Sequence, residues 1–257
     1  FNFLNYAYIY NGGGVAIGDI NKDGLEDIYL SSNQGTNKLF LNKGELKFED
    51  ITAVANVADT DGWTTGVSMI DINADGWLDI YVCKSGSLNN DKERANKLYV
   101  NQKDGTFKEQ ATNYGLASEA FSTQAYFIDY DLDGDLDMDL IIAGNTMATS
   151  PGSPSYVPKL YLNDGFGVFT QQVNTPFQGI RGPSIALSDV DGDLDMDVLM
   201  AGSDSSYRPI AKLYLNDGSA GYTESTNTTF RGAKSPSIAF ADVDADAEVE
   251  VDPPGTT

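Results

Sequence analysis

The chain repeats itself. Four stretches carry one pattern: KLFLN at Lys38 to Asn42, KLYVN at Lys97 to Asn101, KLYLN at Lys159 to Asn163 and KLYLN at Lys212 to Asn216. Each is followed by a turn and an aromatic residue, at Phe48, Phe107, Phe169 and Tyr222. Two short runs of β-favouring residues around an Asn, Asp or Gly turn read as a hairpin. Upstream of each hairpin, two further apolar runs flank an acidic loop: VAIGDINKDGLEDIYL, VSMIDINADGWLDIYV, AYFIDYDLDGDLDMDLIIAG and IALSDVDGDLDMDVLMAG. A fifth copy, IAFADVDADAEVEV from Ile238, has no hairpin after it. The loops open at Asp19, Asp71, Asp129, Asp189 and Asp242, spacings of 52, 58, 60 and 53 residues.

Strand, acidic loop, strand and hairpin give four strands per unit, which at this period fits a β-propeller blade better than a solenoid coil. No helical periodicity of useful length interrupts the series. The expectation is therefore an all-β chain of four to five four-stranded blades. Its approximate repeats are 1–58, 59–116, 117–176 and 177–230, with a partial repeat at 231–257. An all-β sandwich is the alternative, and it leaves the strict repetition without a reason.

Each acidic loop can be read as a coordination problem. In the first, Asp19, Asn21, Asp23 and Asp27 offer side-chain oxygens at positions one, three, five and nine. Leu25 at position seven offers its backbone carbonyl, and Gly24 at position six allows the sharp turn that wraps the loop round an ion. The second loop repeats this with Asp71, Asn73, Asp75, Trp77 and Asp79. Oxygen-only, multi-carboxylate ligation suits Ca²⁺, whereas Mg²⁺ prefers to keep its water. An EF-hand would add a bidentate Glu at position twelve and an exit helix, but Leu30 and Val82 stand there inside apolar runs. These are calcium loops between strands.

The third loop admits two registers. Opening at Asp129, it offers Asp129, Asp131, Asp133, Asp135 and Asp137 with Gly134 at position six, but Met138 and Asp139 are then two extra residues before the strand. Opening at Asp131 restores the strand and puts Leu136 at position six. The turn chemistry favours Asp129. The fourth loop offers Asp189, Asp191, Asp193, Asp195 and Asp197, with Leu194 at the glycine position. The fifth offers Asp242, Asp244, Asp246, Glu248 and Glu250, with Ala247 there. The two-residue excess near Met138 falls where the first type of repeat gives way to the second.

Composition agrees with bound cations. The formal charge is −22, from 38 acidic against 16 basic residues, and the five loops hold 23 of those acids. Five Ca²⁺ ions would take the charge to −12. A basic patch for nucleic acid or an anionic membrane is not expected from such a balance. Cys83 is the only cysteine and there is no histidine. An internal disulfide framework and a cysteine-based zinc site are excluded, and the commonest general base is missing. No apolar run approaches the roughly 20 residues of a membrane helix. A start at Phe1, in mid-pattern, reads as a processed chain or a fragment.

The stretches GVAIGDINKDGLEDIYL with NKLFLNKGELKFEDIT, and GVSMIDINADGWLDIYV with NKLYVNQKDGTFKEQAT, resemble the FG-GAP/VCBS repeat family, the integrin-α-like calcium-binding β-propellers. These first repeats look like the propellers of secreted bacterial proteins bearing an ASPIC/UnbV-type region, which is itself absent. The later repeats, as in PSIALSDVDGDLDMDVLMAG and AKLYLNDG, are similar to the general VCBS type. The resemblance covers nearly the whole chain. It implies a seven-bladed, secreted or cell-surface module that binds partners through blade loops, with calcium as cofactor. The chain departs from that family in blade count, and the literal FG and GAP signatures are not at their expected places. A ring must close, so missing blades or another chain are expected to complete it. FNFLNYAYIY at the start is one candidate closing strand.

The expected function is non-enzymatic: an extracellular calcium-binding module for adhesion or assembly, recognising a protein or glycan on the cell surface. The alternative is a glycan-active enzyme or lectin-like accessory propeller, with Arg94, Arg208, Tyr156 and Tyr207 around a saccharide.

Overall fold

Four antiparallel meanders account for most of the chain. In the computed structural model, residues 12–86, 90–130, 138–145, 158–218, 221–228, 230–233, 237–241 and 250–251 are described. The first sheet has the order β1 (Val15–Gly18), β2 (Asp27–Leu30), β3 (Lys38–Asn42), β4 (Phe48–Asp50). The second runs β5 (Trp63–Ile70), β6 (Asp79–Ser85), β7 (Lys97–Asn101), β8 (Phe107–Glu109). The third comprises β9 (Phe121–Ile128), β10 (Asp139–Asn145), β11 (Lys159–Leu162) and β12 (Thr170–Gln171). The fourth comprises β13 (Arg181–Ser188), β14 (Asp197–Ser203), β15 (Pro209–Asn216) and β16 (Tyr222–Glu224). A two-stranded sheet of β17 (Phe240–Ala241) and β18 (Glu250–Val251) flanks the fifth acidic loop, and a 3₁₀ turn at Asp91–Arg94 is the one helical element among the described residues. The fold is all-β, built of the four-stranded blades that the repeat predicts.

The chain divides into two units, residues 1–125 with 163–170, and residues 126–162 with 171–257. In the first unit, alternation along β1 sends Ala16 inward while Val15 and Ile17 stay exposed. Ala16, Tyr29 and Leu39 of the first blade meet Val67, Ile80, Val82 and Tyr99 of the second in one core. Two side-chain pairs lock this packing. The Tyr29 hydroxyl donates to the Val57 carbonyl at 3.1 Å and accepts from Asn37 Nδ2 at 3.1 Å. Tyr81 and Asn96 repeat the arrangement in the second blade, with the Leu116 carbonyl as acceptor. The corresponding positions in β10 and β14 are Ile141 and Leu199. The change of repeat type is thus a change from a hydrogen-bonded to an apolar blade centre.

In the second unit, Ile141 and Leu160 pack with Ile185, Val198, Met200 and Tyr214. Tyr130 stacks on Tyr222 with ring centroids 4.8 Å apart, and Phe177 meets both edge-on. Offset and edge contacts of this kind add about 0.5–1.5 kcal/mol each beyond burial.

Strand register sets the acidic loops. Gly18 pairs with Asp27, Ile70 with Asp79 and Ser188 with Asp197, so an identical eight-residue excursion separates the first two strands of three blades.

Candidate metal centres in the acidic loops

Position nine is the anchor of each loop. Asp27, Asp79 and Asp197 begin the second strands of their blades and are fully buried. One carboxylate oxygen accepts the N–H of the residue after position one: Ile20 to Asp27 at 3.1 Å, Ile72 to Asp79 at 3.1 Å, Val190 to Asp197 at 2.9 Å. The other accepts the N–H of the asparagine that ends the third strand, Asn42, Asn101 or Asn216, at 2.8 Å each time. Those asparagines also reach back with Nδ2 to the carbonyl of position eight, from Asn42 to Glu26 and from Asn101 to Leu78. Asn42, Asn101 and Asn216 therefore hold the acidic loop as well as the hairpin in these three blades. Sequence reasoning missed this, although its recurrence at every third-strand end was the available signal.

Position one folds the loop. Asp19 accepts the N–H groups of Asp23 at 3.1 Å and Gly24 at 2.8 Å, and Asp71 those of Asp75 at 2.9 Å and Gly76 at 2.6 Å. Asn21 and Asn73 brace position five, each accepting its N–H at 3.1 Å. Asp23 and Asp75 accept the N–H of position seven, Leu25 or Trp77, at 2.9 Å. Two residues in each loop are left-handed. Lys22 and Ala74 at position four have φ of 59° and 53°, and Gly24 and Gly76 at position six have 84° and 83°.

The fourth loop keeps this path with the glycine moved. Gly192 at position four has φ 80°, and Leu194 at position six has φ 76°. Asp189 accepts the N–H groups of Gly192 at 2.8 Å and Leu194 at 2.9 Å. The expected register from Asp189 to Asp197 is the one formed, and Leu194 does adopt the conformation that glycine holds elsewhere. Asp189, Asp191 and Asp197 bring carboxylate oxygens within 4.8 Å of one another, the one such group of three among the described residues. In the first two loops the third position is Asn, which lowers the charge but still supplies oxygen.

The third loop corrects the sequence assignment. Tyr130 N–H donates to Asp139 at 2.9 Å, as Ile20 does to Asp27. Asp139 is fully buried and starts β10. The buried anchor is thus Asp139 and not Asp137, and ten residues separate β9 from β10 where eight separate the first two strands of the other blades. The anchor agrees with the alternative register, which opens at Asp131 and puts Asp139 at position nine, whereas the donor, Tyr130, is the residue that follows Asp129, the opening residue of the favoured register. Asp131, Asp133, Asp135 and Asp137 lie outside the described residues, as do Asp242, Asp244, Asp246 and Glu248 of the fifth loop; Glu250 is described only as the first residue of β18.

The electrostatics ask for a cation. Burial pushes the Asp79 carboxyl up to about 6, with Asp75 and Asp71 adding repulsion. Burial likewise raises Asp27 and Asp197, again with neighbouring loop acids adding to it. Asp191 is raised by burial and by Asp193. A divalent ion among such oxygens removes the repulsion, and the all-oxygen donor set fits calcium. The loops differ in nearby cations. Lys103 Nζ lies 3.2 Å from Asp75, and Lys22 Nζ lies 4.9 Å from the centre of the Trp77 ring, so the second loop carries its own partial counter-charge.

The alternative saccharide residues fare differently. Arg94 is buried, ion-paired with Asp91 at 2.5 Å, bonded to the Glu119 carbonyl and stacked over Phe121, so it holds its turn together. Tyr207 lies under the Arg181 guanidinium at 4.0 Å, Arg208 closes the turn by its N–H to Asp204, and Tyr156 lies outside the described residues.

A family model described as FG-GAP-like repeat matches residues 19–82, 86–138, 131–200 and 189–251. Cartilage acidic protein 1 of Xenopus tropicalis is 27% identical over 206 residues, covering 79% of this chain and 30% of that protein. The Homo sapiens protein of the same name is 26% identical over 223 residues, covering 81% and 31%. The chain thus spans under a third of the length of these relatives. Among solved structures, an exo-β-1,3-galactanase from Phanerochaete chrysosporium aligns at 12% identity and TM-score 0.48, over 84% of this chain and 50% of that one. The V. cholerae biofilm matrix protein Bap1 aligns at 13% and 0.37, over 87% and 40%. Neither likeness is close enough to bear on function.

Proposed function

This chain belongs to the FG-GAP-like repeat family, and from that premise we propose that it is a non-enzymatic, calcium-binding propeller module of the cell exterior that recognises a protein or glycan partner. The observation that carries the calcium reading is the recurrence of one loop geometry in three blades: a left-handed pair at positions four and six, a first carboxylate folded onto the loop backbone, and a buried ninth carboxylate. Positions one, three, five and nine, with the carbonyl of position seven, would hold the ion. The ion would supply the charge compensation that the buried carboxylates lack. Extracellular modules hold calcium at about 10⁻⁴–10⁻³ M, and loops exposed at positions four and six suit that regime.

Completion by further blades or another chain is supported by the first blade. Val15 and Leu30 form a cross-strand pair that is 57% and 40% exposed, whereas the matching pair of the second blade, Val67 and Val82, is buried against the first blade. No helix among the described residues is long and apolar enough to cross a membrane.

The test is calorimetric titration of calcium into dialysed protein, with melting curves in calcium and in EGTA. Binding of several ions with a raised melting temperature is expected. Absence of both binding heat and a melting shift would end the calcium reading.

A further inference from the structure

Away from the acidic loops, the first unit contains a cavity of about 820 Å³, within the range of about 300–1,000 Å³ usual for small-molecule sites. The acidic loops join β1 to β2 and β5 to β6 at one end of the blades. The cavity lies at the other end, walled by the β2–β3 and β6–β7 connections and the segment leading into β5.

Its walls are built and held. Lys84 is buried, and its ammonium donates to both Asp59 oxygens, at 2.9 and 2.7 Å, and to the Asp61 carbonyl. All three donors are used, so Lys84 ties the Asp59–Asp61 wall to β6 and is not itself available to a ligand. Gly62 has φ 77°, and a Cβ there would stand 2.4 Å from the Glu93 carbonyl oxygen, so that wall meets the 3₁₀ turn as closely as backbone allows. Trp63 lines the cavity from a buried position.

We propose that this cavity binds a neutral oligosaccharide. A sugar hydroxyl donates and accepts at once, so a saccharide site needs both functions interleaved. Here Lys92 and Lys97 only donate, Asp61 and Glu93 only accept, and the amides of Asn33, Gln34 and Asn90 do both. Neither lysine has a salt-bridge partner among the described residues. With Lys84 neutralised by Asp59, the remaining two cations and two anions balance. In a chain of charge −22 such local neutrality removes repulsion without selecting an anion. The inference rests on the reading of the chain as a recognition module and names the site and chemical class of one partner.

The test probes an array of immobilised neutral, uronate-bearing and sulfated oligosaccharides with calcium-loaded protein, followed by titration of the retained sugar. Retention of neutral oligosaccharides is expected. Lys97→Ala and Asp61→Asn should weaken it at least tenfold, with melting temperature and calcium stoichiometry unchanged. Gln34→Ala and Lys92→Ala, at exposed positions, carry the same test should either of the first two unfold. Retention of no neutral sugar, or undiminished binding by folded variants, overturns the proposal. Because calcium stoichiometry is measured on the same samples, failure at the cavity is distinguishable from failure of the calcium loops.

Discussion

The second and fourth acidic loops follow the same path with opposite glycine placement. In the second, Ala74 is left-handed at position four and Gly76 at position six; in the fourth, Gly192 is at four and Leu194 at six. Their first carboxylates differ accordingly, Asp71 taking the N–H groups of positions five and six and Asp189 those of four and six. What is common is the buried ninth aspartate with its two backbone N–H partners. The anchor at position nine therefore defines the loop, and glycine is wanted at one of two left-handed positions without either being obligatory.

The largest effect expected is that of calcium removal, because it restores repulsion in both loops together. A site at a hundredfold excess over its dissociation constant contributes about 2.7 kcal/mol. Cys83 gives a local reading in the second blade: it is fully buried, and burial raises its thiol pKa, so native protein should resist alkylation. EGTA should speed its labelling severalfold. Equal labelling rates with and without calcium would show that the second loop, the better match to the motif, contributes nothing to its blade.

Next in size is loss of the anchor. Asp79→Ala and Asp197→Ala each leave two N–H groups without their acceptor, at a cost of about 1–3 kcal/mol for each buried group. Urea unfolding should show both losses, and similar ones. A large loss for one and none for the other would break the claim that position nine does the same thing in both loops. Gly76→Ala and Gly192→Ala should each cost about 1–2 kcal/mol, since both glycines are left-handed. A neutral Gly192→Ala would leave the fourth loop with no glycine at either left-handed position and break the claim that one of the two wants it.

Lys103→Met sharpens the difference in charge. The Lys103–Asp75 pair is half exposed, so it is worth at most about 1 kcal/mol. The ammonium competes with a cation at Asp75, and calorimetry should therefore find calcium bound up to about fivefold more tightly at the second loop of the variant, with no change at the others. Weaker binding would show that Lys103 orders Asp75 and does not compete for it.

The blades were legible because hydrophobic alternation, the acidic loop and the hairpin repeat together, and the structure forms all four. The first two loops were legible through Gly24 and Gly76. In the third loop the favoured count from Asp129 pointed to Asp137 and the count from Asp131 to Asp139; burial selects Asp139, and glycine placement alone does not show which of several alternating acids enters the core. The Asn of KLxLN and the Tyr29–Asn37 pair stood in plain view along the chain, yet their partners lie on other segments and only the pairing of strands brings them together. Arg94 read as a candidate saccharide contact, because a short turn that buries its own arginine has no sequence periodicity.

The finest test of the comparison is to give each loop glycine at both left-handed positions. Leu194 is 87% exposed, so removing its side chain gives up little burial. A non-glycine residue in the left-handed region costs about 1–2 kcal/mol, while glycine in the unfolded chain costs about 0.5–1 kcal/mol in added entropy. Leu194→Gly should therefore stabilise the protein by about 0.5 kcal/mol. Ala74→Gly makes the mirror change in the second loop and should do the same. Melting curves of the two variants, taken in calcium, read the result directly. Stabilisation by both means that the two loops share one backbone path and differ only in where the glycine fell. Destabilisation by Leu194→Gly alone means that position six of the fourth loop is not left-handed, and that its three gathered carboxylates are held by some other turn.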